Sequence, residues 1–293
     1  MLINFDNIKT NSSMATIVVA GADDEVVLEA LNEANKKIQL SLILIGDQNK
    51  INNLSKSFNL NIKTIIHETE PSKIGELAVQ CIRNKQANVI MKGLIDTKHV
   101  LKAVINSQTG IKQQKTLSHV AIITYPQLNK SLIVSDCAMS ILPNADDKWE
   151  IINNAVNVAH KLNIKCPNVA LISAVEKINP KIVSTTDAQQ LIEKHKSLSD
   201  KGFNIDGPFA LDNVLSHESA HHKGITSNVA LNPDILIFPD LVSGNVFYKA
   251  SVFLGNGQVA GVIVGASVPI ILTSRGDSAA SKMNSIILGI LLR

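Results

Sequence analysis

Aromatic side chains are scarce in this 293-residue chain: one Trp, two Tyr and seven Phe make up 3% of it. Surfaces that bind nucleic acid stack bases on aromatic rings beside a basic stripe. Here the lysines are spread along the chain and the formal net charge is only +3, so no nucleic-acid partner is expected. Cysteine is scarce as well. Cys81, Cys137 and Cys166 show no CxxC spacing and read as reduced, mostly buried thiols of a cytosolic protein. Long apolar runs are missing: the most apolar window, residues 259–272, is interrupted by Gly, Ser and Pro and is too short to cross a bilayer. The N-terminus MLINFDNIKTN lacks the basic-then-apolar order of a secretory signal. The expectation is a cytoplasmic chain with no membrane partner. Its 45% apolar and 18% charged residues are ordinary for one large or two medium globular domains.

What the sequence has is a rhythm. Residues 16–20, 42–45 and 87–91 are largely apolar runs of strand length, and 62–66 reads as a further strand. Stretches between them carry apolar residues at helical spacing, such as Val26, Val27, Ala30, Leu31 and Ala34. Fully apolar strands separated by amphipathic helices predict parallel βαβ units with both sheet faces covered. Near residue 107 the rhythm breaks in a polar stretch, 107–116, that contains Gly110. Two strands then follow across a short turn, 118–125 and 131–135, which predicts a hairpin and a mixed sheet. A helix at 146–162, a strand at 168–173 and a helix around 187–196 restore the alternation. A short strand into Asp206-Gly207-Pro208, a helix, a strand at 234–238, another helix and a strand at 258–264 follow.

The last strand and helix concentrate the cues for anion binding. Val268-Pro269-Ile270-Ile271-Leu272 has the length and composition of a buried strand, and Thr273-Ser274-Arg275-Gly276-Asp277-Ser278 is small, polar and turn-prone. Ala279, Ala280, Met283, Ile286, Ile287 and Ile290 then recur at helical spacing. A tight turn into a helix N-terminus presents unpaired N–H groups and the positive end of the macrodipole, which attract phosphate or carboxylate. Only three of the 28 basic residues are arginine, namely Arg83, Arg275 and Arg293. One of them stands in this turn, where a guanidinium fork grips an oxyanion. The plainer alternative is an N-capping serine beside a surface salt bridge. Other strands end in Lys92-Gly93, Ser135-Asp136, Asp206-Gly207-Pro208 and Pro239-Asp240. Ligands of open α/β sheets sit beyond the carboxyl ends of the strands, so these ends together point to one cleft.

In this order the strand-end motifs resemble the phosphate acyltransferase family, which comprises phosphate acetyltransferases and phosphate butyryltransferases. The stretches that carry the resemblance begin with Met91-Lys92-Gly93-Leu94, Leu117-Ser118-His119-Val120, and Asp206-Gly207-Pro208 with Ala210-Leu211-Asp212-Asn213. Pro239-Asp240-Leu241 leading to Gly244-Asn245-Val246-Phe247-Tyr248-Lys249, and the Ser274-Arg275-Gly276 turn, complete them. Lys92-Gly93, and Pro208 where acetyl enzymes carry Glu, lean to the butyryl branch. The resemblance implies a two-domain, three-layer α/β/α fold with mainly parallel sheets, similar to isocitrate and isopropylmalate dehydrogenases. Residues 1–112 plus 266–293 would form the first domain and 113–265 the second, with the active site between them. The implied reaction converts a short-chain acyl-CoA plus phosphate to acyl phosphate plus CoA, with butyryl-CoA the first choice and acetyl-CoA the alternative. CoA and phosphate are substrates, so no cofactor and no metal are expected, and the implied assembly is a homodimer or larger homo-oligomer. Two other classes stand as alternatives. One is a dehydrogenase of the same fold, although Ala20-Gly21-Ala22-Asp23, not GxGxxG, follows the first strand. The other is a non-catalytic acyl-CoA-binding regulatory protein.

By the same resemblance Arg275 binds phosphate or acyl phosphate with help from N–H groups at Gly276 and Ser278, and Ser274 stabilises the transition state. The CoA thiol needs a base, because a thiol of pKa about 8.5 is only a few per cent ionised near neutrality. Acetyl enzymes place an aspartate six residues after the arginine, where this chain has Ser281. Asp277 is therefore the first candidate, with Asp136 and Asp206 behind it, and helix-dipole stabilisation is the competing reading of Asp277. Lys92, with Gly93, is the expected substrate cation of the N-terminal part. Asp136, Asp206, Asn245 and Lys249 are further substrate-binding candidates, the last two set against a helix cap and a solvated lysine. His217 and His221 have i, i+4 spacing but no third ligand, and read as a polar helix end. Phe209, Phe247 and Phe253 are candidates for shaping an acyl pocket, with core packing as the equal alternative.

Overall fold

The computed structural model describes residues 2–3, 5, 14–199, 202–272, 276 and 278–293. The chain forms two compact units, one of Asn4–Leu117 with Gln258–Arg293 and one of Met1–Ile3 with Ser118–Gly257. The first begins with β1 (Ala15–Ala20), α1 (Glu25–Lys37), β2 (Leu40–Gly46), α2 (Gln48–Ser55), β3 (Ile62–His67), α3 (Pro71–Arg83), β4 (Val89–Lys92) and α4 (Thr97–Val104). Aspartates start three of these helices: Asp24, Asp47 and Asp96 each accept from a backbone N–H of the first turn. Pro71 starts α3, where a missing N–H costs nothing.

The second unit holds β5 (Ser118–Tyr125), β6 (Lys130–Ser135), α5 (Ala145–Lys161), β7 (Asn168–Ile172), α6 (Val183–Lys196) and β8 (Asn204–Phe209). Three short helices follow, α7 (Leu211–Leu215), α8 (His217–His222) and α9 (Asn228–Leu231), then β9 (Ile235–Ile237) and α10 (Leu241–Phe253). The chain returns to the first unit with β10 (Gln258–Val264), β11 (Ile270–Ile271) and α11 (Ala279–Leu291).

In the first unit the strands lie in the order β3-β2-β1-β4-β11-β10, parallel except for the β10–β11 pair. From β1 the chain steps outward to β2 and β3, then crosses back to β4 on the other side of β1. Right-handed crossovers put α1 and α2 on one face and α3 on the other. α11 packs beside α1, and α4 beside α3. Both faces are thus covered, which is why Ile17, Leu42, Leu44, Ile45, Ile90 and Met91 are fully buried. Each such side chain contributes about 1.5–3 kcal/mol of apolar burial.

The second unit orders its strands β5-β6-β9-β7-β8, with the expected antiparallel hairpin at β5–β6 and parallel pairs elsewhere. The side chains of Thr124 and Ser131 bond across the hairpin at 2.8 Å, and Ser131 Oγ also accepts from Ile3 N.

Several boundaries differ from the sequence expectation. β10 was expected in the second domain, but it pairs with β11 and packs on α11. Lys112 bridges to Ala266, and the N–H groups of Gln113 and Gln114 both donate to Gly265 O. The unit boundaries accordingly fall at 117/118 and 257/258. Asp206-Gly207-Pro208 lies within β8 and does not end it. β8 is the last strand of its sheet, so Pro208, having no N–H, costs no ladder bond on the open side. α6 starts at Val183, four residues before the expected position, because Asp187 is buried within the helix and does not cap it.

Candidate active site

Lys92 and Gly93 stand at the carboxyl-end edge of the first unit's sheet. Chain progression reverses between β1 and β4, and such a switch point opens a crevice at the carboxyl ends of the strands. Gly93 N donates to Ala20 O at 2.8 Å and Leu94 N to Gly21 O at 2.7 Å, so the chain after β4 lies against the chain after β1. A Cβ on Gly93 would come within 2.0 Å of Gly21 O, and this contact requires glycine at that position. Lys92 Nζ donates to the carbonyls of Gly93 and Ile95 at 3.0 and 3.1 Å, which holds the ammonium at the strand end. β11 runs parallel to β4 with Ile271 opposite Met91, so the chain leaves β11 at the same edge, next to Lys92.

Ser274, Arg275 and Asp277 lie outside the described residues. Gly276 is exposed, and Ser278 is the N-cap of α11, its Oγ accepting from Ser281 N at 3.1 Å. Ser278 Oγ also donates to Ser281 Oγ at 3.0 Å, so buried Ser281 is engaged in the cap.

In the second unit Asp136 and Asn245 come together. Asp136 follows β6 and is 2% exposed. Its carboxylate accepts from the N–H groups of His119, Ala138 and Met139 and from Ser140 Oγ, at 3.3, 2.8, 2.9 and 3.1 Å. Those four bonds occupy about the full acceptor capacity of a carboxylate, and they shape the loop after β6. Asn245, one turn into α10, donates from Nδ2 to Cys137 O at 3.0 Å. Gly244 allows that approach, since a Cβ there would sit 2.3 Å from Asp136 O. Lys249 lies further along α10 with its ammonium 5.5 Å from the Tyr248 ring centroid. Asp206 is half-buried, its Oδ1 accepting from Gly207 N at 2.8 Å. His217, His221 and His222 are exposed on α8.

Burial, then the neighbouring Asp136 carboxylate, pushes the Cys137 thiol well above its ordinary pKa, and burial raises Cys81 as well. Both stay protonated and unreactive at neutral pH. Cys166 is exposed. A native thiol titration at about pH 8 is expected to find Cys166 reacting fast and the other two released only by denaturant; three fast thiols would contradict the packing.

The second unit also contains a cavity of about 920 Å³ that sequence reasoning missed. Its wall comes from residues that follow the carboxyl ends of β6, β7, β8 and β9, namely Leu142, Ser173, Leu211 and Phe238. Val246 and Phe247 of α10 complete the apolar lining. Of the three phenylalanines proposed from sequence, Phe247 lines the cavity, Phe209 is buried in β8 and Phe253 is exposed. Lys148 and Asp187 also line the cavity and form an ion pair at 2.6 Å, with side chains 6% and 11% exposed. Among the described residues no group of three or more His, Cys, Asp or Glu could hold a metal ion, and no helix is long and apolar enough to cross a membrane.

Comparison with known proteins bears on this arrangement. The sequence profile of the phosphate acetyl/butaryl transferase family matches residues 71–290. A phosphate butyryltransferase from Clostridium acetobutylicum is 39% identical over 96% of this chain and 94% of its own length. A phosphate acetyltransferase from Thermotoga maritima is 37% identical over 93% of each. The crystal structure of a branched-chain phosphotransacylase from Enterococcus faecalis V583 superposes with a TM-score of 0.83 at 31% identity, covering 95% of this chain and 98% of that one. A 4-hydroxythreonine-4-phosphate dehydrogenase from Klebsiella pneumoniae shares the fold, with a TM-score of 0.56 at 13% identity over 95% and 99% of the two chains. The profile match over three-quarters of the sequence and the near full-length relatives leave one assignment: the chain belongs to the phosphate acetyl/butaryl transferase family.

Proposed function

We propose that this member of the family transfers a short acyl group between CoA and phosphate, with butyryl-CoA preferred and Arg275 and Ser274 at the reacting centre. One observation carries the reading. β11 ends beside β4 at the switch-point edge, next to Lys92, and the chain from there enters the N-terminus of α11 within seven residues, 272–278. A segment with Ser-Arg-Gly between such a strand and such a helix is suited to an oxyanion.

Arg275 and the N–H groups at the start of α11 bind phosphate and orient it for attack. A phosphate oxygen adds to the thioester carbonyl, and Ser274 donates a hydrogen bond to the oxyanion that forms. The intermediate collapses with cleavage of the C–S bond, the electron pair leaves on sulfur, and the thiolate takes a proton. In reverse the thiol gives up that proton to a base. Asp136 is already committed to four loop hydrogen bonds, which favours Asp277 for this task. Lys92 adds positive charge at the strand edge, and Gly276 and Ser278 supply backbone donors. Asn245, Lys249 and Asp206 belong to the substrate-binding surface of the second unit. CoA and phosphate enter as substrates, with no separate cofactor, and the assembly is a homo-oligomer.

The branch is tested by the ratio of kcat/KM for butyryl-CoA and acetyl-CoA at fixed phosphate. A preference of about tenfold or more for butyryl-CoA is expected, since each methylene in an apolar pocket contributes about that much. An equal or reversed ratio would move the chain to the acetyl branch.

A further inference from the structure

Five of the described lysines are partly or wholly withdrawn from solvent: Lys92, Lys130, Lys148, Lys249 and Lys282. Four of them have partners. Lys92 bonds the carbonyls of Gly93 and Ile95, Lys148 pairs with Asp187, the Lys249 ammonium lies near the Tyr248 ring, and Lys282 is also engaged. Lys130 differs: among the described residues its ammonium makes no hydrogen bond, ion pair or ring contact.

Local structure explains why Lys130 stays half-buried without a partner. It opens β6 opposite Tyr125 of β5, and the turn between them is pinned to α10 and the residues just after it. Tyr125 OH donates to Ser251 Oγ at 2.7 Å, and Gln127 Nε2 donates to Gly255 O at 2.8 Å. Left-handed Asn129, with φ of 49°, completes the reversal. Asp234, which precedes β9, attracts Lys130 without pairing with it, and its Oδ2 is taken by Asn168 N at 2.9 Å. Burial lowers the Lys130 pKa, and the attraction to Asp234 offsets that only in part.

Those features make a nucleophilic amine. An ordinary lysine of pKa about 10.4 is neutral in only about one molecule in a thousand at pH 7.4, and the protonated amine has no lone pair to give. Each unit taken off the pKa raises the neutral fraction about tenfold. An ion pair or hydrogen bonds to the ammonium would work against this, and Lys130 has neither. Being only half-buried, the side chain is still within reach of a small acyl donor.

We propose that Lys130 is a covalent modification site, acylated by the acyl phosphate of the reaction above. The neutral amine adds to the carbonyl carbon and a C–N bond forms. The C–O bond to phosphate then breaks, phosphate leaves with the electron pair, and the amine proton passes to water. Lys130 stands at the amino end of β6, whereas ligands of such sheets sit beyond the carboxyl ends, so the donor arrives from solution. The proposal rests on the acyltransferase reading for the source of the donor; the reactivity of the amine stands apart from it.

The test incubates the full chain with synthetic acetyl phosphate near pH 7.5 and follows acylation at every lysine by peptide mass spectrometry. Lys130 is expected to acylate about tenfold faster than the median exposed lysine, and to lose that lead when the chain is unfolded in urea. In Lys130→Arg, shown to be folded by its thermal melt, the fast site should vanish while the other lysines keep their rates. Labelling of Lys130 no faster than of exposed lysines would overturn the proposal. So would a lead that persists in urea, which would trace it to the local sequence and not to burial. In a second arm butyryl-CoA replaces the synthetic donor, with and without phosphate. Phosphate-dependent butyrylation of Lys130 would support both the modification and its source. Equal butyrylation without phosphate would make the thioester the donor and overturn the acyl phosphate step. Fast acetylation by the synthetic donor with no phosphate-dependent butyrylation would uphold the reactive amine and sink the acyltransferase reading alone.

Discussion

Replacing Arg275 with alanine is expected to lower kcat/KM for phosphate by about 10²–10⁴, the cost of losing two charge-assisted hydrogen bonds to an oxyanion. The loss should be carried largely by KM for phosphate, with KM for the acyl-CoA changing little, because the guanidinium grips the smaller substrate. Arg275→Lys should recover only part of it: an ammonium keeps the charge but cannot present the planar fork. Arg83→Ala is the matched control. Arg83 ends α3 and is exposed, so its loss should leave the rate unchanged. Steady-state kinetics with phosphate varied at saturating butyryl-CoA separates these outcomes. An Arg275→Ala enzyme with near wild-type affinity for phosphate would remove the anion site from the turn before α11.

The second large effect concerns stability. Lys148→Met alone is expected to destabilise the fold by about 3–5 kcal/mol, because it leaves the Asp187 carboxylate nine-tenths buried without its cation. The double variant Lys148→Met/Asp187→Leu should recover most of that loss, since removing both charges also removes both desolvation penalties. Urea unfolding of wild type, single and double variants measures the difference, and the midpoints should fall in the order wild type near double, single well below. A single variant as stable as wild type would mean that the pair is solvated.

The positions of the elements were legible because the sequence states them locally. Apolar runs such as Leu42 to Ile45 can only be buried strands, and aspartates at 24, 47 and 96 begin the helices that they cap. The strand and the helix that flank Ser274-Arg275-Gly276 were legible for the same reason, and the structure has them as β11 and α11; Ser274 and Arg275 themselves lie outside the described residues.

What stayed hidden depends on partners distant in the chain. Asp-Asp-Lys-Trp-Glu, residues 146–150, reads as the solvated start of a helix. Lys148 becomes a buried cavity residue only because Asp187, 39 residues later, packs opposite it. The same pairing explains why Asp187 was mistaken for a helix start, when α6 in fact begins after Ile182 with no side-chain cap. Asp136 has the composition of a catalytic strand-end residue, yet three N–H groups and a hydroxyl engage its oxygens in a loop that no local pattern announces. β10 looked like a member of the middle domain by its place in the chain, and its pairing with β11 sets the boundary instead.

The most direct test of the whole account is the release of free CoA thiol from butyryl-CoA by the purified chain, followed with and without phosphate. Release that requires phosphate and yields butyryl phosphate in equal amount is the expected result. Binding of butyryl-CoA with no phosphate-dependent release would contradict it and leave an acyl-CoA-binding protein in place of an acyltransferase.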